Sequence, residues 1–219
     1  MSALRHVFHK YNMQDACGLA LLHRHYAAEA DELLVETVKV SAGAETDPEG
    51  ATTVVSTTTP VKAVDALAAG VVPHMWRMHQ GQWYPTEFLG TSNPEGDAKH
   101  EKMDLAVSFS KRVTSDAAFL VEVAQALVDL KLQDLFGLQT NHRDVLLRRH
   151  PSDTILETTD VPARTSTVIN LPLDQKQPAV YVDTFFGFGC EDPNCSPERH
   201  HACGWTACAY GCCQDENYT

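Results

Sequence analysis

No stretch of the 219-residue chain approaches the roughly 18 consecutive apolar residues of a membrane-spanning helix. The amino-terminal run Met-Ser-Ala-Leu-Arg-His-Val-Phe-His-Lys also lacks the apolar core, about 7–15 residues long, of a secretory signal. The expectation is a soluble, cytoplasmic protein with no membrane partner, in a compartment where thiols stay reduced. Positive charge is scarce as well. Lys and Arg number 17 against 29 Asp and Glu, a net charge of −12. The densest basic run is the short Arg148-Arg149-His150. Nucleic acids and anionic lipids reward clustered cations, so nucleic acid is not an expected partner of so acidic a chain. Gly-x-Ser-x-Gly, the phosphate-binding glycine loop and Gly-x-Gly-x-x-Gly are all missing. Their absence argues against hydrolases of that type, nucleotide enzymes and dinucleotide oxidoreductases.

Cysteine is nearly absent until the end of the chain. Of seven cysteines, only Cys17 lies outside positions 190–213. The tail combines Cys190, Cys195, Cys203, Cys208, Cys212 and Cys213 with His200 and His201. Zinc takes four thiolate or imidazole ligands, and short spacers let neighbouring ligands converge without a large closure cost. Pro193, Pro197, Gly204 and Gly211 allow the tight turns of such a knot. Zinc is therefore the expected cofactor, with Cys190, Cys195, Cys203 and Cys208 as thiolates and His200 or His201 as a substitute ligand. Eight candidates exceed one tetrahedral site, which leaves Cys212 and Cys213 without an assigned role. A knot of disulfides is the competing possibility, disfavoured in a reducing compartment. A closed ligand set would make the metal structural. An open position would make it catalytic, with Phe185, Phe186, Phe188, Trp205 and Tyr210 as pocket walls.

The whole chain has 43% hydrophobic residues, enough for a packed core. Gly18–His25 and Leu33–Val40 read as two strands of a hairpin, and Ala51–Pro60 as a third strand. Asp65–Gly70 reads as a helical turn. His74–Phe88 reads as two strands joined at Gln80-Gly81-Gln82, with His74 and His79 as polar ends of a core strand. Gly90–Lys99 reads as a loop and Leu105–Phe109 as a short strand. The spacing of Phe119, Leu120, Val123, Leu127, Leu130 and Leu135 predicts one long helix from about Asp116 to Phe136, with Ser115 as N-cap and Gly137 as C-cap. Further strands are expected at Thr154–Thr159, Thr165–Leu171 and Ala179–Phe186. The fold class expected is α+β: mostly antiparallel strands, one long central helix and an irregular, metal-bound C-terminal tail. Residues 1–186 form one domain in this scheme, and 187–219 pack on it.

Three residues in the body are candidates for catalysis. His23 and His25 share one face if Gly18–His25 is a strand, and either could act as a general base near neutral pH. Glu87 lies among aromatics in Trp83-Tyr84-Pro85-Thr86-Glu87-Phe88, where desolvation would raise its pKa. For each, an ordinary paired surface or core role competes with catalysis. Cys17 reads as a buried, inert thiol in preference to a nucleophile.

The run Gly18…His23-Arg24-His25…Glu29 resembles the first metal motif of cupins, which would imply a β-barrel binding Fe, Mn, Zn or Ni through the His-x-His strand. Taken together, Leu-Leu-His-Arg-His-Tyr, Tyr-Pro-Thr-Glu-Phe, Leu-Phe-Gly-Leu, Leu-Glu-Thr-Thr and the Cys/His tail resemble a loose family of uncharacterised proteins of filamentous fungi. That resemblance implies no catalytic residues. The functional expectation is a zinc-binding protein, leaning towards a metal- or His-dependent enzyme that acts on a small organic molecule. The alternatives are a non-enzymatic, zinc-stabilised protein-interaction module and a cupin-like metalloenzyme.

Overall fold

The computed structural model describes residues 2–23, 26–41, 53–91, 97–147, 154–171, 181–188 and 206–209. Among these described residues, five helices and eleven strands follow one another as α1 (Ser2–Lys10), β1 (Cys17–Leu21), β2 (Glu32–Ser41), β3 (Thr53–Lys62), α2 (Ala63–Ala69), β4 (Val71–His79), β5 (Gln82–Gly90), α3 (Asp97–Ser115), α4 (Ala117–Asp129), β6 (Phe136–Thr140), α5 (His142–Leu147), β7 (Thr154–Asp160), β8 (Thr165–Leu171), β9 (Tyr181–Asp183), β10 (Phe185–Phe186) and β11 (Thr206–Ala209).

All eleven strands belong to one sheet, in the order β10-β1-β6-β4-β5-β2-β3-β8-β7-β11-β9. Pairing is antiparallel except for β2 with β5 and β11 with β7. The sheet curls into a half-barrel. Its first and last strands, β10 and β9, are separated in sequence only by Thr184. One short run of chain therefore touches both edges of the sheet, and the Thr184 carbonyl accepts a hydrogen bond from Leu21 N at 2.8 Å.

The two faces of the sheet can be followed by strand alternation. On β4, Trp76 and Met78 turn outward and join Leu4 and Phe8 of α1, Phe109 and Val113 of α3, and Phe119, Val123 and Leu127 of α4 in the larger core cluster. Met75 and Arg77 turn inward and line a pocket. Along β2 the inward series is Glu32, Leu34, Glu36, Val38. The inner end of that series is apolar: Val38 packs with Val54, Leu89, Ile155 and Val168 against Met103 and Ala106 of α3 and Leu146 and Leu147 of α5.

This sheet-dominated architecture corrects the expected one. The long helix predicted over Asp116–Phe136 is instead the shorter α4. Asp116, not the expected Ser115, is its N-cap, its carboxylate accepting from Phe119 N at 2.9 Å. The helix stops before Gly137 because Lys131 adopts φ +58°. There Leu132 N bonds to Leu127 O and Lys131 N to Val128 O, a Schellman closure. Leu130 and Leu135 consequently lie exposed beyond the helix. The longest helix is α3, across segments expected as a loop and a strand. Its buried positions Met103, Ala106, Ser110 and Val113 keep helical spacing, but Ser110 interrupts the apolar stripe. The hairpin expected between Gly18–His25 and Leu33–Val40 is absent: β1 pairs with β6 and β10, while β2 pairs with β3 and β5. The tail expected to be irregular contributes β11, between β7 and β9.

Gly137 is a β6 residue, not a helix cap. A Cβ there would sit 2.2 Å from Trp76 O, on the neighbouring strand β4. Backbone cannot retreat as a flexible side chain can, so Gly137→Ala should destabilise the protein by about 1–3 kcal/mol. Urea unfolding measures this, and an unchanged midpoint would refute the close-approach role.

Candidate functional site

The inward faces of the strands change character along their length. Beyond the apolar end near α3 and α5, the next inward residues are polar: Glu36 on β2, Ser56 on β3, Ser166 on β8 and Glu157 on β7, all buried. The short helix α5 directs His142 and Arg143 into this layer, whereas its other end, Leu146 and Leu147, belongs to the apolar cluster. On β4 a bulge between Pro73 and Trp76 breaks the alternation. There His74 reaches the same layer and is 1% exposed.

Glu36 is the hub. Its carboxylate has no exposed surface and accepts from Ser56 Oγ at 2.6 Å, Arg143 Nε at 3.1 Å and Arg143 Nη2 at 2.9 Å. Arg143 also donates through Nη1 to Glu157 at 3.1 Å. Burial alone would raise the Glu36 pKa, but Arg143 and then His142 outweigh it and hold the carboxyl well below its usual range. Burial opposes the charge on Arg143 too, and Glu36 and Glu157 overcome it, so the guanidinium is fully protonated.

Two imidazoles face the same carboxylate. His142 Nε2 lies 3.2 Å from Glu36 Oε1 and His74 Nε2 lies 3.5 Å from Oε2. Neither contact is aligned as a hydrogen bond, and His74 Nδ1 has no hydrogen-bond partner among the described residues. His142 Nδ1 meets the Thr140 carbonyl at 3.1 Å and the Thr140 hydroxyl at 2.8 Å. When Nδ1–H donates to that carbonyl, the Nε2 lone pair faces Glu36. Burial, then the neighbouring His142, pushes the His74 pKa well below that of a free imidazole, so His74 is neutral at pH 7.

Glu36, His74 and His142 thus place one ligand atom each within 4.8 Å of one another, all buried. Two imidazole nitrogens and a carboxylate are a donor set that could hold a metal ion. Buried polar atoms in native proteins nearly always have partners, so the three unpaired imidazole nitrogens require an explanation. A cation among them supplies one for the two Nε2 atoms.

The charged layer opens on a pocket of about 540 Å³. Leu22, Leu34, Met75, Pro85 and Phe88 give it apolar walls, and His23, Tyr26, Arg77, Glu87 and Glu157 polar ones. Glu87 joins pocket to cluster: its Oε2 lies 3.8 Å from His74 Nε2. Tyr26 donates to the Thr58 carbonyl at 2.7 Å, and burial pushes its phenol pKa up to about 12.

Among the residues singled out from the sequence, Glu87 and His23 line this pocket. His23 lies beyond the end of β1, not on a strand face, and its Nδ1–H donates to Leu21 O at 2.8 Å. His25 lies outside the described residues, as do Cys190, Cys195, His200, His201, Cys203, Cys212 and Cys213. Cys208 falls within β11. Cys17 is fully buried, and burial pushes its thiol pKa far up, which excludes a nucleophilic thiolate. The sequence reading singled out none of Glu36, His142, Arg143 and Glu157 as site residues. One signal was present: a glutamate at the inward position between Leu34 and Val38, where a half-buried strand carries apolar residues.

No protein-family model, curated protein or solved structure matches this chain. Among the described residues, no helix is long and apolar enough to cross a membrane.

Two outcomes follow from the buried charges. Arg143→Met leaves Glu36 and Glu157 without their cation and should cost about 3–5 kcal/mol in urea unfolding; a loss below about 1 kcal/mol would contradict the pairing. The pH dependence follows from His74. Its folded pKa is depressed, so its contribution is complete above the unfolded value of about 6.5 and is lost as pH falls towards the folded one. Stability of EDTA-treated protein should therefore decline below about pH 6.5, by up to about 1.4 kcal/mol per unit for this residue. Glu36 adds a loss of the same sign at lower pH, below about 4.3. His74→Gln should flatten the curve between about pH 5 and 6.5, and an equally steep curve in that variant would refute the assignment.

Proposed function

We propose that the protein is a metal-dependent enzyme that acts on a small organic molecule in the half-barrel pocket, with Glu36, His74 and His142 as ligands. One observation carries this: two buried imidazole Nε2 atoms, neither hydrogen-bonded, converge on one carboxylate next to a pocket. Zinc is the proposed ion, because a set of two imidazoles and one carboxylate that leaves a position for water is a catalytic zinc arrangement. Such a site activates bound water near neutral pH. Glu87, 3.8 Å from His74 Nε2 on the pocket wall, would serve as general base, and His23, on the same wall, would meet the substrate. The Cys/His tail, with Cys190, Cys195, Cys203 and Cys208, remains in the proposal as a second, structural zinc site.

A second reading has its own observation. Arg143 already engages Glu36 through two nitrogens. In that reading Arg143 is the counter-cation of Glu36, no metal binds there, and the pocket is a binding cavity without metal chemistry.

Metal analysis of protein purified without added metal decides between them. The expected result is that His74→Ala and His142→Ala each lose one equivalent relative to wild type, while Cys208→Ser loses a different one. If both histidine variants fold and keep every equivalent, the buried centre is refuted and the second reading takes its place.

A further inference from the structure

We infer that the molecule held in this pocket carries a carboxylate, and that Arg77 binds it. The inference rests on the proposed function only in taking the half-barrel pocket as the ligand site.

Among the described residues, three arginines approach the interior or its mouth, and two are already neutralised. Arg143 is held by Glu36 and Glu157. Arg164 at the rim donates to Glu32 at 2.6 Å and to the Ala27 carbonyl at 2.7 Å. Arg77 is the third. It projects inward from β4 beside Met75, lines the pocket, and makes no hydrogen bond or ion pair with any described residue. Its Nε is shut off from solvent and has no acceptor. A guanidinium is a rigid fork of five donors, and leaving part of it desolvated and unpaired is costly. A strand position facing a pocket gives it no access to the surface acceptors that usually meet that need.

The pocket contains a second group in the same condition. Thr58 is 3% exposed and lines the wall from β3, and its hydroxyl oxygen is buried without a partner. A planar carboxylate suits the guanidinium, which can give it two parallel bonds, and a polar ligand atom would give the hydroxyl a partner. Of the three pocket carboxylates, Glu157 is engaged by Arg143 and Glu32 by Arg164 with Lys62 nearby, while Glu87 lies beside His74. Leu34, Met75 and Phe88 provide apolar contact for the rest of the ligand. The class implied is a small apolar or aromatic carboxylic acid, with its acid group at Arg77 and its body reaching towards Glu87.

The test uses two neutral-bodied probes of one shape, naphthalene-2-carboxylate and naphthalene-2-carboxamide, titrated calorimetrically into the full-length protein. Wild type should bind the carboxylate at least about tenfold more tightly, the range of one charge-assisted hydrogen bond. The preference should survive EDTA treatment, which separates Arg77 from direct metal ligation. Arg77→Met should abolish it and Arg77→Lys restore part of it, with circular dichroism and thermal midpoint unchanged in both. Equal binding of the two probes, no carboxylate binding at millimolar concentration, or a preference that disappears with metal but ignores Arg77 would each overturn the inference. Protein that contains no metal as purified yet shows an Arg77-dependent preference would refute the metal centre and leave this inference standing.

Discussion

Everything inside the half-barrel is arranged around a carboxylate that has no contact with water. Glu36 could not remain ionised there alone, because transfer of a bare charge out of water costs many kcal/mol. Arg143 prevents that loss. Its two-nitrogen grip on Glu36 and its third bond to Glu157 link α5 to both β2 and β7. The same short helix buries Leu146 and Leu147 beside α3. Its position is therefore set twice, by an ion network at one end and by apolar packing at the other. His142, the residue before Arg143, comes into line with Glu36 as a consequence.

The interior is graded. On β2 the order Val38, Glu36, Leu34 passes from apolar packing through buried charge to pocket wall. On β7 the step from Ile155 to Glu157 repeats the first part, and on β5 the step from Leu89 to Glu87 does the same. A charged layer closed off by apolar packing on one side and open to a cavity on the other excludes bulk water from the cluster yet lets a small molecule approach it. The β4 bulge contributes the last element. Without it, His74 would share the outward face of Trp76 and Met78, among the packed helices, and the second imidazole would be missing.

The legible parts of the sequence were those with short-range causes. The turn at Gln80-Gly81 between β4 and β5, the Asp116–Phe119 start of α4 and the β-rich runs of β2, β3, β7 and β8 all follow from local spacing and turn chemistry. The failures have identifiable causes. Lys131 in a left-handed conformation ended α4 early, although glycine is the residue that usually marks such a stop. Gly137 looked like that stop but serves a close approach of β6 to β4. Ser110 breaks the apolar stripe of α3, so local spacing predicts a loop and a strand where the helix stands. The cysteines drew attention because they are clustered. The residues of the candidate centre are dispersed, with Glu36, His74 and His142 on three different elements.

The sequence alone determined the acidic balance, the absence of long apolar spans, the concentration of cysteine in the tail and most local β-propensity, since these depend only on composition and on neighbours a few residues apart. It also brought Glu87 and His23 forward as chemically suggestive residues. Tertiary structure decided which polar groups meet. The convergence of β2, β4 and α5 depends on strand order, on one bulge and on the pairing of Arg143 across 107 residues of chain. A buried carboxylate reads the same as an exposed one until the fold shows what surrounds it, because its cost and its chemistry come from removed water and imported partners, neither of which is written in its neighbours.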